Sequence, residues 1–534
     1  MYAKTYGLCV NGIDGYLVTV EVDITPGLPS FDIVGLPATS VKEAKERVRS
    51  AIKNGGFQFP MKRIVVNLAP AHVRKDGSSL DLAIAMGILA AMDEEKKSSK
   101  SKKAVTWDHH VYIGELSLDG SLQPVIGMLS MVMGLCHTQG MTMSESAVVD
   151  TVPFLDIYVP EGNLREAESG STLPVVGIRS LSDVVKHLQG EAISVMSSSE
   201  NQGEIYSDNT NQVSQDVTDI SEVKGQYMGK RALEIAAAGG HHLLMTGPPG
   251  SGKTMLAKCL PGLLPPLTKE EQLEVSRIYS VMGLLTSGRL MRIRPFRSPH
   301  HTSTLVAMVG GGQTPKPGEI TLAHKGVLFL DEVPEFKRPV IEVLRQPLEE
   351  RVVHISRVGM AITYPSDCIV VMAMNPCPCG WFGTAEDHRC TCTVTQIQRY
   401  QRTLSGPILD RMDLVVPVER PTLTEINAPQ DESNSSEIRQ KVVCARRIQE
   451  ERFRGTEIEL NSHMSHKDIE SYANLSKDGK DLLETAFTTL HLSVRSYDRI
   501  IKVARTIADL ESSTYIEANH IAEALSYRQS QEGV

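Results

Sequence analysis

Aromatic residues are scarce, 5% of the chain with two tryptophans, and no apolar run approaches the length of a bilayer-spanning helix. That absence excludes a helical membrane protein. The first residues, MYAKTYGLCVNG, also lack the apolar core of a secretory signal, so a cytoplasmic protein with no membrane partner is expected. Positive charge is in deficit too: 55 Lys and Arg face 64 Asp and Glu, a net charge of −9. Any contact with nucleic acid must then come from a local basic surface. No repeat of solenoid or propeller period occurs. The nine cysteines, an odd number in a large chain of this kind, do not make a disulfide framework.

What is present is an ordinary globular composition, 41% hydrophobic and 22% charged, over 534 residues, too many for a single core. The stretch Ser197–Asp219 is rich in Ser, Asn, Gln and Asp and too poor in apolar residues to fold alone. Taken as a flexible linker over 194–219, it separates an N-terminal domain, 1–193, from everything after it. In that first domain β-branched runs (Leu17–Val22, Arg63–Asn67, Val111–Ile113) alternate with helical patterns (Thr39–Asn54, Leu80–Met92), which predicts an α/β or α+β fold. The polar insert Glu94–Lys103 reads as an exposed loop tip, with a basic nucleic-acid arm as the alternative. Strands and helices alternate again over 220–420, as in a P-loop domain with a parallel sheet. The last domain, 421–534, reads almost wholly helical from Glu437 onward.

The strongest signal lies in the second region. Gly247-Pro248-Pro249-Gly250-Ser251-Gly252-Lys253-Thr254 satisfies G-x-x-x-x-G-K-[ST], after the apolar Leu243-Leu244-Met245 and before the helix-forming Met255–Leu260. Glycines let consecutive backbone N–H groups face one concavity, and the helix N-terminus adds partial positive charge. Lys253 supplies a point charge for the β- and γ-phosphates of ATP or GTP, and the Thr254 hydroxyl a ligand for Mg²⁺. Downstream, Gly326-Val-Leu-Phe-Leu ends in Asp331-Glu332, a buried strand delivering two carboxylates to its C-terminal edge. Asp331 would serve the Mg²⁺ shell and Glu332 would act as general base toward water. A further strand, Cys368–Met374, ends in Asn375, either a sensor of that same water or the start of a turn before Pro376.

Arg411, in GPILDRMDL, and Arg495, in LSVRSY, are candidates to neutralise phosphoryl charge, or else surface ion pairs. The segment Leu348–Val371 reads as a β-hairpin with Arg351 at its base and Arg357 at its tip. Cys377, Cys379, Cys390 and Cys392 form two C-x-C pairs ten residues apart, able to close a structural zinc site or to remain reduced thiols.

Together these residues resemble the AAA+ ATPases, in the branch of magnesium-chelatase subunits and MCM helicases. RPFRSPHHTST, VGGGQTPKPGEITLAHKGVLFLDE, MAMNPCPCG, LSGPILDRMDL and VARTIADLE are closest to the magnesium-chelatase-like YifB/ComM family. The resemblance implies a homo-hexameric ring with ATP and Mg²⁺ between subunits and a helical lid after the ATPase domain. Lys253, Thr254, Asp331, Glu332 and Asn375 would act in cis. It gives Arg411 the role of arginine finger, Arg495 that of second sensor, and sets Val223–Gln226, with Val223 and Gln226 at its ends, against the adenine. The hairpin would project into the pore, where Arg351 and Arg357 meet single-stranded or branched DNA. The implied activity is an ATP-driven helicase for branch migration in homologous recombination and natural transformation. The alternative is a protein-remodelling or metal-chelatase-type ATPase with no DNA substrate.

The N-terminal segment Lys75-Asp-Gly-Ser-Ser79-Leu-Asp81, with Gly114–Gly120, looks like the proteolytic domain of Lon, a ribosomal-protein-S5-domain-2-like α+β fold. Ser79 falls at the nucleophile's position. The required lysine base is missing, since Leu129 aligns there and no lysine occurs from Ala104 to Val185. Peptidase activity is therefore not expected, and Ser79 is expected to be a helix cap.

Overall fold

A computed structural model describes residues 1–96, 106–138, 154–191, 218–285, 288–312, 314–357, 360–384, 387–427 and 434–529. The polar insert from residue 97 and the linker up to residue 217 lie outside the described residues. The chain divides into two compact units, Met1–Gln212 with Gln272–Met291, and Val213–Glu271 with Arg292–Val534. The segment Gln272–Met291, which sequence pattern places inside a 220–420 domain, thus belongs with the N-terminal residues. Within that first unit Arg277 meets Asp14 at 2.6 Å, and Ser280 Oγ donates to Glu166 Oε1 at 2.5 Å. Such an excursion leaves no mark in a linear pattern, because its partners are more than a hundred residues away.

The first unit contains strands β1 (Tyr2–Asn11), β2 (Asp14–Thr25), β3 (Ser30–Val34), β4 (Arg63–Ala69), β5 (His110–Tyr112), β6 (Glu115–Leu116), β7 (Leu122–Gln123), β8 (Asp156–Pro160) and β9 (Val175–Ile178). Seven of them form a mixed sheet in the order β3-β4-β2-β1-β5-β8-β9, while β6 and β7 pair separately. Along β4 burial alternates, with Ile64, Val66 and Leu68 inward, the period of a strand with one face on the core. The helix Thr39–Asn54 buries Val41, Ala44, Val48, Ala51 and Ile52, one stripe at helical spacing. Gly15 and Gly134 let β2 and the helix Met128–Thr138 touch: a Cβ on either would stand 2.1 Å from a backbone oxygen of the other element.

The second unit is built on β10 (Leu243–Thr246), β11 (Phe296–Arg297), β12 (Gly310–Gly311), β13 (Lys316–Pro317), β14 (Val327–Leu330), β15 (Val352–Arg357), β16 (Met360–Pro365), β17 (Ile369–Met374) and β18 (Leu414–Pro417). A parallel sheet runs β11-β14-β17-β10-β18. Its central strands β14 and β17 are continuously apolar and buried, as expected where both faces are covered. The C-terminal region is helical: Ser435–Arg452, His466–Tyr472, Lys477–Thr489, Val494–Leu510 and Ala518–Gln529. These helices share one hydrophobic core with the sheet, Val442, Ala445 and Ile507 joining Leu233, Leu260 and Val371. Arg446 fastens the first of them to the helix Tyr227–Gly239 through two hydrogen bonds to the Ala237 carbonyl, at 2.9 and 2.7 Å.

Candidate nucleotide-binding site

Three loops leave the C-terminal edge of the parallel sheet side by side, since β14, β17 and β10 are neighbours in register. After β10 come Gly247–Gly252, then the helix Lys253–Leu263. Gly250 and Gly252 take φ of +74° and +94°, and a Cβ on Gly252 would meet nothing within 4 Å, so the space beside Gly252 is open. Ser251 Oγ is buried and, among the described residues, has no hydrogen-bond partner. Lys253 Nζ donates to the Gly247 and Pro248 carbonyls at 2.7 and 2.9 Å and to Asn375 Oδ1 at 3.2 Å. Burial pushes its pKa down to about 8, while Asp331 and Glu332 resist that shift. A cradle of backbone N–H groups at a helix N-terminus, an unpartnered hydroxyl and a half-desolvated ammonium together suit a phosphate chain.

Beyond β14, Asp331 Oδ2 accepts from Thr254 Oγ1 at 2.8 Å. A hydroxyl and a carboxylate in contact are the donor set Mg²⁺ takes from a protein that leaves its remaining positions to water and phosphate. Glu332 has φ +49°, a left-handed conformation unusual for a side-chain-bearing residue, and its N–H donates to Asp331 Oδ1 at 2.9 Å. Its carboxylate is exposed and faces His301 Nδ1 at 3.9 Å. His301, packed against His300 with ring centroids 4.0 Å apart and the rings tilted by 35°, comes from the SPHHT motif, to which pattern reading gave no role. The histidine doublet was the available signal.

The structure thus brings Lys253, Thr254, Asp331, Glu332 and Asn375 together. Gln226 joins them, donating to the Ser251 carbonyl at 3.1 Å, whereas the Val223 side chain is sunk in the core and can offer a base only its backbone. Arg411 is buried: Nη1 donates to the Pro407 carbonyl at 2.6 Å and Nη2 pairs with Glu349 at 2.5 Å. Arg495 is exposed on the first turn of Val494–Leu510, and among the described residues it is hydrogen-bonded to none of the site. One turn on, Arg499 donates to Asp413 at 2.9 Å and, with His241, overcomes burial to hold that carboxyl far below its ordinary range. The hairpin exists: β15 and β16 pair antiparallel from Val352↔Pro365 to Arg357↔Met360. Arg351 lies just before it at φ +58°, and Arg357 is exposed at its far end. Val358 and Gly359, the expected turn, lie outside the described residues.

Family models match much of the chain. Residues 219–426 match magnesium chelatase subunit ChlI, 432–528 match the ChlI C-terminal region, and 20–145 match subunit ChlI of Mg-chelatase. YifB of Salmonella typhimurium is 40% identical over 519 residues, 97% of this chain and 95% of that protein. The competence protein ComM of Haemophilus influenzae is 40% identical over 528 residues, 98% and 97% of the two chains. The chain belongs to the magnesium-chelatase-like YifB/ComM family. A fainter likeness, 22% over 281 residues, joins it to an MCM-type protein of Methanocaldococcus jannaschii, covering 50% of this chain and 31% of that one. This YifB/ComM-type chain is accordingly an AAA+ ATPase, of a class that works with ATP and Mg²⁺. Among the described residues no helix is long and apolar enough to cross a membrane.

Two further clusters in the family member were singled out by pattern. The Sγ atoms of Cys377, Cys379, Cys390 and Cys392 all lie within 4.8 Å of one another. Cys377–Cys379, Cys379–Cys390 and Cys377–Cys390 are 3.3, 3.6 and 3.9 Å apart, whereas tetrahedral Zn–S bonds place sulfurs about 3.8 Å apart. Against the effect of burial, backbone N–H groups of Trp381 and Thr391 draw the Cys379 thiol down toward thiolate.

Among the described residues no helix N–H donates to the Ser79 hydroxyl, so the expected cap is not formed. That hydroxyl donates to the Leu8 carbonyl on β1 at 2.9 Å and touches Cys9 Sγ at 3.7 Å, because β1 runs directly over the start of the helix Asp81–Lys96. Leu129 is fully buried, its N–H bound to Glu166 at 3.0 Å. Lys75 is buried in the same unit, with Nζ donating to the Pro70 carbonyl.

Proposed function

We propose that this protein is a ring-forming, ATP-hydrolysing motor on DNA that drives branch migration in homologous recombination during natural transformation. The observation that carries the motor reading is the pairing of a complete phosphate-loop site with a β-hairpin that ends in an exposed arginine. The pathway rests on the likeness to the competence protein ComM alone.

In this reading Lys253 and the loop N–H groups hold the β- and γ-phosphates, and Thr254 and Asp331 hold Mg²⁺, which neutralises charge on the phosphates. Glu332 takes the proton of the attacking water, and Asn375, already in contact with Lys253, fixes that water's orientation. In a homo-hexamer Arg411 would leave Glu349 and serve the site of the next subunit, and Arg495 would complete it as second sensor. Arg351 and Arg357 grip the phosphate backbone, so binding should weaken with salt. The first unit takes a Lon-like role in assembly or substrate contact without peptidase chemistry, and the helices after residue 420 act as a lid. The four cysteines hold a structural zinc ion.

ATP hydrolysis by the purified protein, with and without single-stranded and forked DNA and beside a Glu332→Gln control, tests this. DNA stimulation that vanishes in the control is expected, and hydrolysis indifferent to DNA would overturn the motor reading. The match to magnesium-chelatase models favours a second reading, an ATPase that remodels a protein partner, which turnover stimulated by protein and not by DNA would support.

A further inference from the structure

The cysteine cluster lies against the phosphate loop, and the contacts are specific. Gly380, directly after Cys379, has φ +87°, and a Cβ there would stand 2.5 Å from Cδ of Pro249. Only glycine lets the cysteine loop rest on that ring. Trp381 follows, with the guanidinium carbons of Arg420 and Arg389 at 4.5 and 4.9 Å from its ring centroid. Arg420 turns from the indole to the phosphate loop, donating from Nε and Nη2 to the Pro249 carbonyl at 3.2 and 2.9 Å. Pro249 is therefore held at its ring by Gly380 and at its carbonyl by Arg420. On the other side Cys377 comes two residues after Asn375, the acceptor for Lys253 Nζ. The cluster thus brackets the phosphate loop from two directions.

We propose that the four-cysteine centre is the anchor of the phosphate loop: metal at the sulfurs fixes Gly380 and Trp381, and these, with Arg420, set the conformation of Pro249 and Gly250. Nucleotide affinity then depends on occupancy of a site that contains no nucleotide-binding residue. The inference rests on the zinc assignment above, and it adds a function for the metal. Four cysteine ligands leave no open position, so the ion acts only by closing the loop.

The test uses the full chain with Trp107→Phe, which makes Trp381 the sole tryptophan. Zinc per chain, Trp381 emission and the Kd for a fluorescent ADP analogue are measured before and after a high-affinity chelator, then after zinc is restored. One zinc per chain, a reversible shift in emission and a Kd raised about tenfold without the metal are expected. Arg420→Gln keeps the sulfurs and should raise Kd roughly fivefold with zinc content unchanged. Fully reduced protein that holds no zinc would overturn the metal assignment. Zinc bound normally, with Kd within twofold after both chelation and Arg420→Gln, would overturn the anchoring role and leave the zinc site standing. If circular dichroism shows that chelation unfolds the protein, Arg420→Gln decides the anchoring role by itself.

Discussion

Lys253 opens a helix after a glycine-rich loop and Lys75 precedes one in a glycine-containing turn; both are buried, one in each unit, and both ammonium groups donate to backbone carbonyls. Burial lowers the pKa of each. The difference lies in what else arrives. Lys253 stands at the C-terminal edge of a parallel sheet, where adjacent strands deliver Asn375, Asp331 and Glu332 to it. Lys75 is opposed in that shift by the Cys9 thiol, which burial pushes up to about 11 and so keeps neutral. Beside it the Ser79 hydroxyl is spent on a strand carbonyl. A buried lysine becomes chemically useful where the topology gathers carboxylates and an open cradle around it, and remains a structural donor where it only satisfies a carbonyl.

The sharpest way to break this comparison is to remove the groups that distinguish the first array. Glu332→Gln should lower ATP turnover by about 100-fold or more in steady-state assays while a nucleotide analogue still binds. Lys253→Ala should lose that binding as well. If Glu332→Gln hydrolyses ATP normally, the carboxylates are not what separates the two lysines. Arg411→Ala should lower turnover by roughly 100-fold. An equimolar mixture of Arg411→Ala and Glu332→Gln chains should regain activity if the two residues serve one site from different subunits, and stay inactive if both act within one chain.

A smaller effect is expected at the hairpin. Arg357→Glu should weaken single-stranded DNA binding about tenfold and flatten its salt dependence, with DNA-free hydrolysis retained. The depressed pKa of Lys253 gives a pH test. Phosphate binds the ammonium form, which prevails below pH 8 and is lost above it, so nucleotide affinity should fall by about fourfold from pH 7 to pH 8.5 in the free protein. A flat profile would mean that Lys253 stays charged despite its burial. The smallest effect belongs to the second array. Ser79→Ala should leave turnover within twofold and cost about 1 kcal/mol of stability in denaturant unfolding, from the lost bond to Leu8. A large loss of hydrolysis would show that the first unit contributes to the chemistry.

Much of the nucleotide site was legible because its signals are local. A loop, the apolar strand before it and the helix after it lie in one short stretch, and the strands at Val327–Leu330 and Ile369–Met374 are continuous apolar runs that end at polar residues. Thr39–Asn54 was likewise legible from its stripe of buried positions. Other features had no local trace. The excursion of Gln272–Met291 into the first unit depends on Asp14 and Glu166, far away in sequence. Ser79 sits where a capping residue would, yet β1 over the helix start claims its hydroxyl. His301, Trp381 and Arg420 were visible as residues and silent as to role, because what each touches is set by loops from different strands.

By itself, then, the sequence determined that this chain carries a phosphate loop, its acidic strand and four clustered cysteines, since each is written in spacings a few residues long. Only the tertiary structure decided which of these meet. Parallel strand order sets Asn375 and Asp331 beside Lys253, and the close approach allowed by Gly380 lays the cysteine loop on Pro249. Contacts between segments remote in sequence are chosen by packing and strand order, which no short spacing encodes.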